Sequence, residues 1–174
     1  MDFYSEITKM KEIIRRGWTL RGVPGRTESD AEHTYSCLMI AIYLMSHLKL
    51  DLDQLKVLKM ITFHDLCEID SGDVTIVDRV PQEEKYKKEI ACIKRLAKDL
   101  DMPEIESLWV EFEENKTKEA QFVKRIDKFD AVCQAKIYSD RFDMQALYEE
   151  FYGNAKEYTD EMKKLMKKAQ KTKK

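Results

Sequence analysis

A chain of 174 residues is long enough for one well-packed core, so a single domain spanning 1–174 is expected. The net charge of −2 argues against a dedicated nucleic-acid binder, and no apolar run reaches the roughly 18 residues of a membrane-spanning helix. Only five Gly and three Pro, set among runs of Lys, Glu, Leu and Met, disfavour an all-β design and predict an all-α protein.

Residues 2–16 alternate charges with Phe3, Ile7, Met10, Ile13 and Ile14, which predicts a first amphipathic helix stopped by Gly17. The N-terminus is charged from Asp2 and does not read as a leader. Cys37, Cys67, Cys92 and Cys133 form no C-x-x-C pair and read as reduced thiols of a cytoplasmic protein. Residues 17–28 form a Gly/Pro-rich loop carrying Trp18, Arg21 and Arg26. Aromatic and guanidinium groups suit stacking and anion holding, although a surface loop with Trp18 plugged into the core would look the same.

Ser29 or Asp30 can cap a helix running to about Leu48, with Cys37, Leu38, Ile40, Ala41, Leu44, Met45 and Leu48 inward. His33, four residues before Cys37, shares that buried face, whereas His47 falls off it and reads as exposed and uninvolved. Asp51 or Asp53 caps the next helix, whose apolar run Leu55, Val57, Leu58, Met60 and Ile61 leads to His64 and Asp65. Glu68 follows one turn along the same face, and Asp73 can fold back after the Ser71-Gly72 break. Val74 to Val77 reads as a short apolar connection.

Pro81 opens a helix to about Leu100, with Ile90, Ile93, Leu96, Ala97 and Leu100 inward. Pro103 restarts a helix through Phe112, with an acidic end, Glu111 to Glu114, read as a solvated face. A long helix over 117–141 sets Phe122, Ile126, Phe129 and Cys133 on one stripe and Asp127 and Asp130 on its flank. Asp127 leans toward the core, while Asp130 reads as a surface residue. The last helix covers 143–171, interrupted near Gly153, and ends in a basic tail expected to fray.

Burying histidines and carboxylates is costly unless something compensates them. His33, His64, Asp65 and Asp127 come from three helices, and packed helices can converge such groups on one divalent ion. Two imidazoles with two carboxylates suit Co, Mn, Fe, Ni or Zn better than Mg. Glu68 and Asp73 are then placed for acid–base work beside that ion.

The order His33, His64-Asp65, Asp127 resembles the H…HD…D signature of the HD-domain metal-dependent phosphohydrolases. Arg16-Gly17-Trp18, Arg26-Thr27-Glu28-Ser29-Asp30-Ala31-Glu32-His33, His64-Asp65-Leu66-Cys67-Glu68 with Gly72-Asp73-Val74, and Phe122 to Lys128 are similar to the 5′-deoxynucleotidase branch. The resemblance implies an all-α, HD-domain helical bundle with the metal site between its central helices, a core over about 12–140, and C-terminal helices over 143–171. It implies a homodimer that hydrolyses deoxyribonucleoside 5′-monophosphates. It makes His33, His64, Asp65 and Asp127 the metal ligands and Glu68 and Asp73 the catalytic carboxylates. Arg16, with Arg15 as the alternative, becomes the phosphate clamp, Arg26 a further substrate-side arginine and Trp18 a sugar-side wall. The chain departs from the branch where Gly17 separates Arg16 from Trp18. Hydrolysis of a nucleoside triphosphate or cyclic nucleotide, a non-hydrolytic nucleotide sensor, and a metal-free buried polar network remain the other readings.

Overall fold

The computed structural model describes residues 3–73, 75 and 78–172. Val74, Ile76 and Val77, and the last two residues of the basic tail, lie outside the described residues, and so do the expectations placed on them. Helix α1 spans Phe3–Thr8 and passes into a 3-10 turn at Lys9–Lys11. The single helix expected over 2–16 does not form. Phe3 and Tyr4 are exposed, and only Glu6 and Met10 of this segment are buried, too small an apolar face to hold a long helix. The chain instead runs extended past Ile14, which bridges Ser29. Arg15 N donates to Glu28 O at 3.0 Å and Asp30 N to Ile13 O at 3.0 Å. That strap ties residues 13–15 to the head of the next long helix. Gly17, expected to stop a helix, sits inside a short one, α2 (Arg16–Thr19).

Helix α3 (Asp30–His47) starts in a capping box: the Ser29 side chain accepts from Glu32 N, and the Glu32 side chain accepts from Ser29 N. Its inward face carries His33, Cys37, Ala41, Leu44 and Met45. Helix α4 (Gln54–Phe63) is capped by Asp53, whose side chain accepts from Lys56 N, and buries Val57, Met60 and Ile61 while Leu55 is exposed. The helix ends at Phe63. His64 to Cys67 turn, α5 (Glu68–Ser71) follows, and Gly72 takes a φ of +67° that favours glycine.

Helices α6 (Gln82–Asp99) and α7 (Glu104–Glu114) pair, and Asn115 closes α7 in the left-handed region. Helix α8 (Lys118–Phe142), capped by Thr117, is the axis of the molecule and packs against α3, α4, α7, α9 (Gln145–Asn154) and α10 (Lys156–Lys171). The interruption expected near Gly153 falls at Ala155, where φ is −123° and ψ 24°. The main core joins Leu44, Met60, Ile61, Ile126 and Met162 from α3, α4, α8 and α10. Full burial of each such side chain contributes about 1.5–3 kcal/mol. A second core fills the space between α6, α7 and the His64–Cys67 turn, and a third gathers Trp18, Val23, Ala135, Tyr138 and Leu147. Among the described residues no helix is long and apolar enough to cross a membrane.

Candidate metal centre

His33 lies on the first turn of α3 and is completely buried. Its Nδ1 meets Asp130 Oδ2 at 2.7 Å, which turns Nε2 toward Asp127 Oδ1 at 3.5 Å, Cys37 Sγ at 3.6 Å and Asp65 Oδ2 at 3.9 Å. His64 caps the end of α4, and its Nδ1 donates to Ile61 O at 2.7 Å. Its Nε2 is buried without a hydrogen-bond partner and sits 3.2 Å from Asp65 Oδ2. The two imidazoles are 5.5 Å apart, and the Phe112 ring stands edge-on behind His64 at 5.4 Å. Ligand atoms of His33, His64 and Asp65 all lie within 4.8 Å of one another, and Asp127 joins them through its contact with His33.

The unpartnered His64 Nε2, and the His33 Nε2 that faces the same two carboxylates, fit a divalent metal ion, because buried lone pairs and negative charge need a cation between them. Burial and Arg15 would lower His33, yet Cys37, Asp127 and Asp130 raise it well above the ordinary imidazole range, so an ion bound there must displace a proton. Burial holds His64 below the ordinary imidazole range, keeping it in the neutral form that ligates. Burial would raise Asp65, but His64, Arg15 and His33 hold it below its usual value. Burial likewise opposes ionisation of Asp127, yet Lys128, His33 and His64 hold it well below.

Asp130 was expected on the surface. It is buried and fixes the ring of His33, as an outer partner does for a ligating histidine. The sequence offers a signal for it, since Asp130 follows Asp127 at i+3 on a half-buried flank. The acidic end of α7 is also not wholly solvated, because half-buried Glu113 lines the cavity described below and meets Lys124 at 3.5 Å. His47 is half-buried and remote, bonded to Tyr43 O.

Glu68 begins α5 rather than continuing α4, so the break at His64–Cys67, and not a shared helix face, brings it to the site. Burial first, then Asp65 and Asp30, raise its carboxyl well above the usual range. Asp30 is completely buried and pushed up to about 6, again mainly by burial. The Asp30 and Glu68 carboxyls face one another, and neither Asp30 oxygen nor Glu68 Oε2 has another hydrogen-bond partner. One proton held between them would satisfy both. Asp73 Oδ2 accepts from Arg16 N at 2.6 Å, the start of α2.

The arginines separate. Arg15 Nη1 reaches Asp65 Oδ2 at 3.2 Å, and although burial would lower its pKa, Asp65, Glu68, Asp127 and Asp30 raise it. Arg16 turns outward to pair with Asp78. Of the two candidate clamps it is thus Arg15, not Arg16, that lines the cavity described below, because the strap at Ile14 directs it inward. Arg26 is 68% exposed, pairs with Glu32 at 2.9 Å and does not reach the site. Trp18 does both things expected of it. It is plugged into the third core, with Nε1 donating to Glu28 Oε1 at 3.0 Å and its ring stacked on Phe151 at 4.5 Å, and it lines the cavity.

That cavity measures about 410 Å³, within the range of small-molecule sites. Arg15, His64, Asp65, Glu68, Asp73 and Asp127 line it together with the aromatic rings of Trp18, Trp109, Phe112 and Phe151 and the ammonium groups of Lys85, Lys124 and Lys128. Carboxylates, a guanidinium and aromatic faces around one space suit a ligand with an anionic group and a planar ring.

A model of the HD domain matches residues 7–166. The chain belongs to the HD domain family. Among its relatives, the 5′-deoxynucleotidase HDDC2 of Dictyostelium discoideum is 35% identical over 146 residues, which is 79% of this chain and 76% of that one. The 5′-deoxynucleotidase HDDC2 of Bos taurus is 30% identical over 156 residues, 87% of this chain and 74% of that one. Among solved structures, a conserved hypothetical protein from Pyrococcus furiosus superposes with a TM-score of 0.78 at 29% identity, covering 97% of this chain and 96% of that one. The all-α bundle is thus that of an HD domain.

Proposed function

We propose that this HD-domain protein is a metal-dependent phosphohydrolase that converts deoxyribonucleoside 5′-monophosphates to deoxynucleoside and phosphate. The reading rests on one observation. The His33 Nε2, the unpartnered His64 Nε2 and the Asp65 and Asp127 carboxylates converge beside Arg15 on a cavity with aromatic walls. Its 5′-deoxynucleotidase relatives support the substrate class.

His33, His64, Asp65 and Asp127 would hold the ion. When bound, it would polarise the phosphoryl group and supply a nucleophile at neutral pH. The two imidazoles favour Co, Mn, Fe, Ni or Zn over Mg. Arg15 takes the phosphate oxygens, its planar fork matching their geometry. Asp73 accepts the proton released as the water oxygen bonds to phosphorus. Glu68, protonated beside Asp30, gives its proton to the 5′ oxygen as the P–O bond breaks. Trp18 and Phe151 wall the nucleoside. Chain 1–174 acts as one domain in the cytoplasm. A second copy packs on the outer face of α3, where Tyr35, Met39 and Ile42 are exposed at helical spacing.

The experiment is phosphate release from a panel of deoxy- and ribonucleoside mono-, tri- and cyclic phosphates with Co, Mn, Mg or Zn. Release from the deoxynucleoside monophosphates in the presence of metal is expected, with loss of turnover in Asp127→Ala. Full turnover in Asp127→Ala would remove the ligand assignment, and no hydrolysis of any monophosphate with any metal would remove the function.

A further inference from the structure

We infer that Asp30 is a positioning residue for Arg15: its carboxylate braces the guanidinium at the cavity and so sets the affinity of the site for a phosphate group. The inference rests on the reading of Arg15 as the phosphate contact.

Asp30 has no job in building the helix it starts. The head of α3 is already satisfied by the Ser29–Glu32 capping box. Yet Asp30 is 0% exposed, and besides the Glu68 carboxyl it faces, neither of its carboxylate oxygens has a hydrogen-bond partner. A buried carboxylate of this kind costs several kcal/mol, and a small apolar residue would fill the position without that cost. The cation beside it is Arg15, whose Nη1 lies 3.6 Å from Asp30 Oδ1.

The same guanidinium meets Glu28 at 3.7 Å and Asp65 at 3.2 Å, so three carboxylates grip it from different elements. The backbones are locked as well. Arg15 N bonds Glu28 O, and Asp30 N bonds Ile13 O, fixing the two residues across one bridge. An arginine side chain has about 2 kcal/mol of rotamer entropy to lose on binding a ligand. Arg15 has lost most of it before the ligand arrives, which is preorganisation. Of the three partners, Asp65 is committed to the metal centre and Glu28 already accepts from Trp18 Nε1. Asp30, which also faces the Glu68 carboxyl, lies outside the ligand set and sets one oxygen 3.6 Å from the guanidinium.

The test is calorimetric titration of the Mn-loaded protein with inorganic phosphate, for wild type, Asp30→Asn, Arg15→Ala and the double variant. Asp30→Asn is expected to weaken phosphate binding about tenfold, and the double variant to bind no more weakly than Arg15→Ala alone. Metal content and thermal melts accompany each protein, and Asp30→Ala is read in the same way should the asparagine variant fail to fold. Phosphate binding by Asp30→Asn equal to the wild type's, or losses that add in the double variant, would overturn the inference. A wild type that binds phosphate but hydrolyses no monophosphate leaves this inference standing while the function falls. An active enzyme whose phosphate affinity ignores Asp30 does the reverse.

Discussion

Asp130 shows how much of a metal centre lies one bond behind its ligands. Its 2.7 Å bond to His33 Nδ1 fixes both the ring and the tautomer that turns Nε2 inward. Asp130→Ala is expected to weaken metal binding about 10- to 100-fold, measured by competition against a chromogenic chelator. Unchanged affinity would mean that Cys37, 3.8 Å from His33 Nδ1, holds the ring instead. The convergence of the four candidate ligands was legible in the sequence, because His33 fell on an apolar face and His64-Asp65 closed an apolar helix. Asp130 was not, since a helical flank looks alike whether it faces solvent or a histidine from a distant helix. Asp30 makes the opposite point about stability. An unfolded carboxyl titrates near 4, whereas burial pushes Asp30 up to about 6 in the native protein. The native state therefore keeps its proton longer, and stability falls as pH rises from about 4 to about 6. In metal-free protein, Asp30→Asn should melt with the wild type at pH 4 and above it at pH 7.5, by on the order of 2 kcal/mol. A variant less stable at both pH values would show that the pairing of Asp30 with Arg15 adds more to the fold than its burial costs.

Helix boundaries were readable where side chains cap them and misread where tertiary contacts decide. Ser29, Asp53 and Thr117 each accept from a backbone N–H three residues on, and α3, α4 and α8 start where those residues predict. The N-terminal segment has the apolar spacing of a helix, but Phe3 and Tyr4 are exposed, and the strap at Ile14–Ser29 takes the chain away. Arg15 rather than Arg16 enters the site for that reason alone, and no pattern within residues 2–16 encodes it. The break after Phe63 is similar. Periodicity continues into Glu68, yet His64 must leave the helix for its Nδ1 to reach Ile61 O. The capping box joins both themes, since it sits directly before Asp30 and three residues from His33. Ser29→Ala should cost about 1 kcal/mol, a fall of about 2–4 °C in melting temperature. Because Glu32 also pairs with Arg26 at 2.9 Å, the strap would loosen with it. Melting curves with and without Mn separate the two effects: the metal should restore part of the loss if α3 is held by His33 as well as by its cap.

Helix α8 divides the molecule into an apolar body and a working face. One side packs with α3, α4 and α10 in the main core, while Asp127 and Asp130 on its flank meet His33. The opposite, outer face of α3 carries Tyr35 at 65%, Met39 at 48% and Ile42 at 42% exposure, spaced over two turns. These side chains point away from His33, Cys37 and Ala41, so a partner on this face would press on the helix that carries a ligand without touching the cavity. Isolated apolar residues on a surface need no explanation, but three on one helical stripe form a continuous patch. If a second copy covers it, Met39→Lys with Ile42→Asp should convert a dimer to a monomer in light scattering after gel filtration. Metal content should stay unchanged, because no substituted side chain contacts the centre. Turnover then decides whether association matters to chemistry: a monomer with wild-type kcat and KM makes the interface a matter of stability alone. A rise in KM at constant metal content would tie the packing of α3 to the placement of His33 and Asp30. A wild type that elutes as a monomer would remove the second copy altogether and leave the stripe as ordinary surface.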